Sequence, residues 1–403
     1  MDKISESYVK LVLAMGTHDP DYVDAYFGPP QWQAEVKAAR PPLTAIKQEA
    51  RGLLKELANI PTPDASELQS LRKEGLTKKL QALVARVEML EGRRFSFNDE
   101  ARALYGVTPP VYPVCFFQKI LDELERLLPG QGPLEPRYHA FRKSFIIPPD
   151  KLDVVFKAAT SECRARTAKR IELPDNENFV LEYVRDKPWS GYNWYKGDSQ
   201  SLIQINTDLP IYIDRAVDLA AHEGYPGHHV YHCLNEMKFV KQLHWAEYLV
   251  YALFTYQALV AEGSANFGIL MIFPDQERVE FERNRLYPLS GLDPSQTALY
   301  DKVQVLFNRL NYAHNEAARN YLDGIFDRRQ AVEYLAQYAL FSPERAEQRL
   351  KFVDTYRSYV INYNLGQDLA KQHIESRGGT EDHPEKRWEE FKRLLSSPVY
   401  LRN

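Results

Sequence analysis

"AAHEGYPGHHVYH", residues 220–232, decides how the rest of the chain is read. It opens like the zinc-peptidase motif HExxH, in which two histidines one helical turn apart bind the ion and the glutamate beside the first serves as base. Here His222 and Glu223 hold the first two places, but Pro226 stands where the second histidine belongs, and His228 and His229 arrive late. Upstream, "DRAVDLAAHE" (214–223) reads as a helix that Asp214 can cap. Proline deletes an amide donor and glycine opens unusual dihedrals, so this helix should bulge or kink at Pro226-Gly227. A bulge that absorbs two residues returns His228 to the face of His222, whereas an unbroken helix favours His229, seven residues on. Asp218, four residues before His222, is placed to accept a hydrogen bond from the far nitrogen of that ring.

A zinc hydrolase needs three protein ligands, a fourth position for water and a general base beside it. Four of the ten histidines fall within this one stretch, next to Glu223 and the proline-glycine break. Competing sets exist: His228 and His232 are four apart, as are His232 and Glu236, and either pair suits a regular helix. Only the set that starts at His222 also puts a carboxylate directly after a ligand. The opposing reading is a group of hydrogen-bonded structural histidines that hold no ion.

The third ligand is sought in "YLVYALFTYQALVAEGSANFGILMIFP" (248–274), whose one formal charge is Glu262. The span is long enough for a bilayer, but a carboxylate near its middle is costly in lipid, and no other segment looks like a span. It therefore reads as a helix buried on all sides. A lone buried carboxylate takes up a proton or finds a partner, and zinc is such a partner.

Around these residues the chain is mostly helical. Residues 1–145 read as an N-terminal helical region with proline-rich joints, including helices near Ile4–Met15, Glu67–Leu90 and Phe116–Leu128. Residues 146–403 form a catalytic helical region, either separate or one continuous domain with the first. Within it "NFVLEYV", "GYNWYKG" and "SLIQINTD" (178–208) are short, aromatic and β-branched, and read as a small antiparallel sheet just ahead of the motif helix. Zinc peptidases often set an edge strand there to pair with extended substrate, so "SLIQINTD", with Asn206, is the candidate substrate edge. From Pro210 onward helical periodicity is broken at "FPDQE", "GLDPSQ" and "LFSPERA". A formal net charge of −4 and the lack of a basic stripe argue against nucleic acid as a partner. Three widely spaced cysteines and an N-terminus without a cleavage signal suit the cytoplasm, with no membrane partner.

"HEGYPGHH" followed by "AEGSANFG" resembles the signature of the bacterial family known as domain of unknown function 885, whose members show HExxPGHH or HExxPGHY and then EGWA on a later helix. "NDEARALYGVTPP", "INTDLP" and "RRQAVEYL" extend the likeness over most of the chain. The resemblance implies a zincin-like, largely helical metallopeptidase with Zn²⁺ as cofactor. Because the family's last motif position alternates between histidine and tyrosine, it gives the ligand role to His228, with His229 as the alternate. His222 and Glu262 map to the other ligands and Glu223 to the base. Ser264 replaces the family's usual tryptophan, and the glutamine often found after the histidines is absent, which touches substrate preference rather than metal chemistry. It also makes "DTYRSYVINYNLGQ" (354–367), read as one helix, a candidate source of the oxyanion partner: Tyr359 or Tyr363, with Arg357 for a substrate carboxylate. Core packing is the competing use of those tyrosines.

The functional expectation is zinc-dependent hydrolysis of peptide bonds, in short peptides, with Glu223 as general base. Hydrolysis of another small amide or ester is the first alternative, and a non-catalytic helical metal-binding or interaction protein is the second.

Overall fold

In the computed structural model, which describes residues 1–61, 66–274 and 276–402, two helices meet through glycine at the centre of the molecule. Asp275, inside the "FPDQE" break, lies outside the described residues. Helix Tyr256–Ile272 crosses helix Ile361–Glu375 so closely that a Cβ on Gly263 would lie 2.3 Å from the carbonyl oxygen of Gly366. Only a residue without a side chain permits that approach. The first of these helices carries Glu262 and is buried along most of its length.

The rest is largely helical, and the expected helices are present at Asp2–Met15, Glu67–Leu90 and Val114–Leu127. The main hydrophobic core draws on residues from Ile4 to Leu401, and a second cluster joins Phe117, Ile120 and Leu124 to Val303, Leu335 and Leu350. Among the described residues no helix is long and apolar enough to cross a membrane. The apolar run 248–274 is not one helix: it begins with a short strand, β5 (Val250–Ala252), and turns helical at Tyr256. β5 pairs antiparallel with β1 (Val23–Tyr26), a strand within the region read as helices and joints. Two buried ion pairs, Arg86 with Asp19 (2.7 Å) and Arg72 with Glu247 (2.7 Å), tie helix Glu67–Leu90 to the segments that lead into β1 and β5. Buried pairs of this kind are costly to break because one charge would be left alone.

The sheet in front of the motif helix is mixed rather than antiparallel. Its strands are β2 (Asn178–Val184), β3 (Gly191–Gly197) and β4 (Gln200–Asn206), in the order β2-β4-β3. The two-residue turn Asp198-Ser199, with φ of 52° and 59°, closes a tight antiparallel hairpin between β3 and β4. β3 occupies one side of β4, and β2 pairs on the other and runs parallel to it, Asn178 opposite Gln200 through Val184 opposite Asn206. β4 is therefore central, with both backbone edges paired, and cannot offer an edge to a substrate. The edge strand beside the motif is β3.

Candidate metal centre

The motif helix forms as Ile213–Leu219, widens into a π-helical turn at Ala220–Gly224, breaks, and restarts as His228–Asn235. Tyr212, not Asp214, is its N-cap; Asp214 instead accepts hydrogen bonds from the Tyr300 hydroxyl (2.6 Å) and Gln304 Nε2 (2.9 Å). At the break, the Gly227 amide donates to the Ala221 carbonyl at 3.0 Å. A Cβ there would stand 1.8 Å from the His222 carbonyl oxygen, so the chain folds back against the helix end only because this residue is glycine. That reversal turns His228 toward His222.

His222 Nε2, His228 Nε2 and Glu262 Oε2 then form a triangle with sides of 3.1, 3.1 and 3.5 Å. A tetrahedron built on bonds of about 2.05 Å has edges of about 3.3 Å, so the three atoms match one face of a zinc site. The tautomer fits as well. Asn266 Nδ2 donates to the Tyr363 carbonyl (2.9 Å), which aims its Oδ1 at His222 Nδ1 (2.9 Å) and so leaves the proton on Nδ1 and the lone pair on Nε2. Glu262 Oε2 is buried and accepts no hydrogen bond, while Tyr359 donates its hydroxyl to Oε1 at 2.7 Å. Three lone-pair donors thus converge with no fixed hydrogen among them, an arrangement that repels itself unless a cation or a proton lies between. Burial raises the Glu262 carboxyl, yet His228 and His222 hold it well below the usual carboxylate range; burial lowers His228, yet Glu262, Glu223 and Asp24 lift it to about 9. Donors that hold a proton this firmly fit a cation that would replace it.

Glu223 is buried beside the triangle, and burial raises its pKa while His222 and His228 pull it down. Gly191 makes room for it: a Cβ there would stand 3.1 Å from Glu223 Oε1. Asn193 Nδ2 donates to the Glu223 carbonyl at 2.7 Å, which locks β3 to the motif. The cluster opens on a cleft of about 900 Å³, whose walls include Ser190, Gly191 to Asn193 of β3, Tyr363 and helix Pro343–Tyr356.

Several expected roles fall elsewhere. His229 is fully buried with both ring nitrogens engaged, Nδ1 with Ser201 Oγ (2.8 Å) and Nε2 with Glu177 Oε2 (3.0 Å), so it is no alternate ligand. Asp218 pairs with Arg278 (2.8 Å) and Arg215 (3.0 Å), and Asn266 takes the place expected for it behind His222. His232 stacks on Tyr195 at 5.0 Å, and Glu236 accepts from the Tyr195 hydroxyl, so that alternative set does not assemble. Among the described residues, His222, His228 and Glu262 are the one such cluster. Residues 354–367 are not one helix: Arg357 has φ 53°, and a 3₁₀ turn, Arg357–Val360, separates two helices. Arg357 points away to Glu100 (2.7 Å), which also binds Ser358. Asn206 lines the cleft, but its amide is spent on the Lys187 and Trp189 carbonyls (both 2.9 Å). Of the tyrosines, Tyr359 is committed to Glu262, whereas Tyr363 is half-buried and its ring lies 6.3 Å from that of His222. Among the described residues its hydroxyl has no hydrogen-bond partner, and burial, then Glu262, keep its pKa well above the ordinary value, so it stays a donor.

Two neighbours of the cluster were not expected. Asp24 on β1 accepts from the Tyr192 hydroxyl, faces His228 and Glu262, and is raised to about 6 by burial. Its only trace in the sequence is the acidic "DPDYVDAY", which does not point to residue 228. Asn266 was legible in principle, since it lies one turn after Glu262 on the same helix face.

No family model matches the chain, and no curated protein matches it. Among solved structures it is similar to "the putative lipoprotein from Colwellia psychrerythraea", with a TM-score of 0.53, 15% identity, and coverage of 88% of this chain and 68% of that one. It is also similar to "a putative lipoprotein of unknown function from Shewanella oneidensis", with a TM-score of 0.46, 14% identity, and coverage of 88% and 70%. The first likeness is one of fold alone.

Proposed function

We propose that this chain is a zinc-dependent hydrolase of zincin-like architecture that cuts peptide bonds in short peptides, within the family its motif resembles. The observation that carries the reading is the convergence of His222 Nε2, His228 Nε2 and Glu262 Oε2 beside a buried carboxylate that is not itself one of the three. Zinc held there supplies Lewis acidity toward a carbonyl oxygen. Glu223 takes the proton of the attacking water and returns it to the leaving amine, a task helped by a carboxyl whose pKa burial has raised. Tyr363 donates its hydroxyl to the developing oxyanion. Tyr359 and Asn266 do not touch substrate; they hold Glu262 and His222 in place. The outer edge of β3, at Gly191 to Asn193, pairs with extended substrate backbone, which favours a peptide over an unrelated amide or ester. Three free cysteines support the cytoplasm as its compartment.

The test is metal analysis of the purified chain together with peptide hydrolysis by wild type and Glu223→Gln. Stoichiometric zinc with activity lost in Glu223→Gln is expected. A chain without metal, or a Glu223→Gln variant that hydrolyses as fast as wild type, ends the proposal.

A further inference from the structure

Six arginines line the cleft, and four have carboxylate partners: Arg142 with Asp214 (3.8 Å), Arg215 with Asp218 (3.0 Å), Arg278 with Asp218 (2.8 Å) and Arg309 with Glu123 (3.4 Å). Arg345 and Arg349 have none among the described residues. They lie one turn apart on helix Pro343–Tyr356, on the face that Ser342, Gln348 and Phe352 also turn to the cleft. Two like charges at this spacing disfavour a helix, and no neighbour relieves them. The guanidinium of Arg345 stands 5.4 Å from the Phe341 ring and that of Arg349 stands 5.3 Å from the Phe352 ring, contacts that position the groups without neutralising them.

Their surroundings add positive charge. Burial disfavours the charged form of Arg345, and then Arg349, Arg215 and Arg142 do so as well, with Tyr212 opposing; burial disfavours that of Arg349, Tyr363 opposes, and Arg215 acts with burial. His314 lines the same cleft, and burial, then Arg349 and Arg345, hold its pKa well below the ordinary imidazole value. Arginine does not give up its proton in proteins, so the strain falls on a missing counter-ion. The row of side chains leads back to the metal centre: Phe352 lies 6.2 Å from Tyr363, and Tyr363 lies 6.3 Å from His222. A few residues of extended peptide, at about 3.3 Å each, span that row.

We propose that Arg345 and Arg349 form a carboxylate-recognition subsite, so that the preferred substrates are peptides with a carboxylate a few residues from the bond that is cut. The guanidinium fork matches a carboxylate in two-point contact, and peptides supply that group at the C-terminus or on an acidic side chain. This deepens the hydrolase reading and, as a statement about substrate, rests on it; the binding itself needs no turnover.

The experiment measures binding by calorimetry to the full chain after chelation, so that a metal cannot take the carboxylate. Three probes separate the sources: N-acetyl-trialanine as acid, the same peptide as amide, and N-acetyl-Ala-Glu-Ala-amide. At least one of the two acidic probes is expected to bind about tenfold or more tightly than the neutral amide, and whichever does so names the source of the carboxylate. That preference should fall toward parity in Arg345→Gln and in Arg349→Gln, persist in part in Arg349→Lys, and remain in Arg309→Gln, whose arginine already has Glu123. Equal binding of acidic and neutral probes, no binding of any, or equal loss of all three in the glutamine variants overturns the proposal. If a glutamine variant fails to fold, the two acidic probes against the neutral amide on wild type decide. Hydrolysis by the zinc-loaded chain is scored separately. Discrimination without hydrolysis ends the hydrolase reading and keeps the subsite, whereas hydrolysis of the neutral amide and of both acidic probes at equal kcat/KM ends the subsite alone.

Discussion

The Nε2 atoms of His222 and His228, six residues apart, face each other at 3.1 Å. No regular helix achieves this, because six residues advance about 9 Å along the axis and turn the side chain well away from its starting face. The reversal at Gly227 achieves it and leaves His229 on the opposite side, held by Ser201 and Glu177.

The two adjacent histidines should therefore behave differently. His228→Ala is expected to lose stoichiometric zinc, as is Glu262→Gln, while His229→Ala keeps the ion and loses stability instead, because buried Glu177 and Ser201 each lose a hydrogen-bond partner. Metal content by mass spectrometry beside thermal unfolding separates the effects. A His229→Ala protein that unfolds like wild type but has no zinc would reverse the assignment.

Asn266 should matter to the metal although it does not touch it. By orienting His222 it is expected to contribute about 10–100-fold in zinc affinity, the usual worth of such a partner, so Asn266→Ala should lose that factor in a chelator competition. Asp218→Asn, which breaks pairs with Arg278 and Arg215 instead, should leave the affinity unchanged. Equal losses in both variants would mean that His222 is positioned by something else.

Gly227→Ala places a methyl group 1.8 Å from one backbone oxygen and 2.5 Å from another. Backbone cannot step aside as a side chain does, so destabilisation should exceed the about 1–3 kcal/mol of ordinary overpacking. Urea unfolding measures it. A midpoint equal to that of wild type would show that the motif does not double back as described.

Lys79 is buried, 2% exposed, and burial takes its pKa from 10.5 down to about 8 against the opposing pull of Glu247. The unfolded chain then binds the extra proton through this window. Stability should rise as pH climbs from about 8 to 10, and the penalty, on the order of 3 kcal/mol at ~1.4 kcal/mol per pKa unit, is fully present below pH 8. Lys79→Met should be more stable than wild type at neutral pH and should lose that upward slope. Parallel stability profiles for the two proteins between pH 8 and 10 would refute the assignment.

His222, Glu223 and His228 were legible because the signals are local. A proline-glycine pair in a helical pattern announces a break, and a glutamate directly after a histidine announces a ligand and a base. Glu262 was legible for a different reason: one charge in 27 apolar and polar residues has few comfortable explanations. The helices at 2–15 and 67–90 followed from periodicity in the same way.

What the sequence by itself determined, then, is the helical class, the break in the motif helix and which residue types could meet a metal. Tertiary structure alone decided the partners. It set Asn266 rather than Asp218 behind His222, turned Arg357 away to Glu100, committed Tyr359 to Glu262 and left Tyr363 open, and centred β4 so that β3 became the edge. It also brought Asp24 from β1 to the cluster and left Arg345 and Arg349 facing the cleft without a counter-charge. The physical reason is range. Backbone breaks and helix faces are fixed by neighbours a few residues away, whereas a hydrogen bond or ion pair across tens or hundreds of residues exists only once packing has brought two elements into contact, and no local pattern encodes that distance.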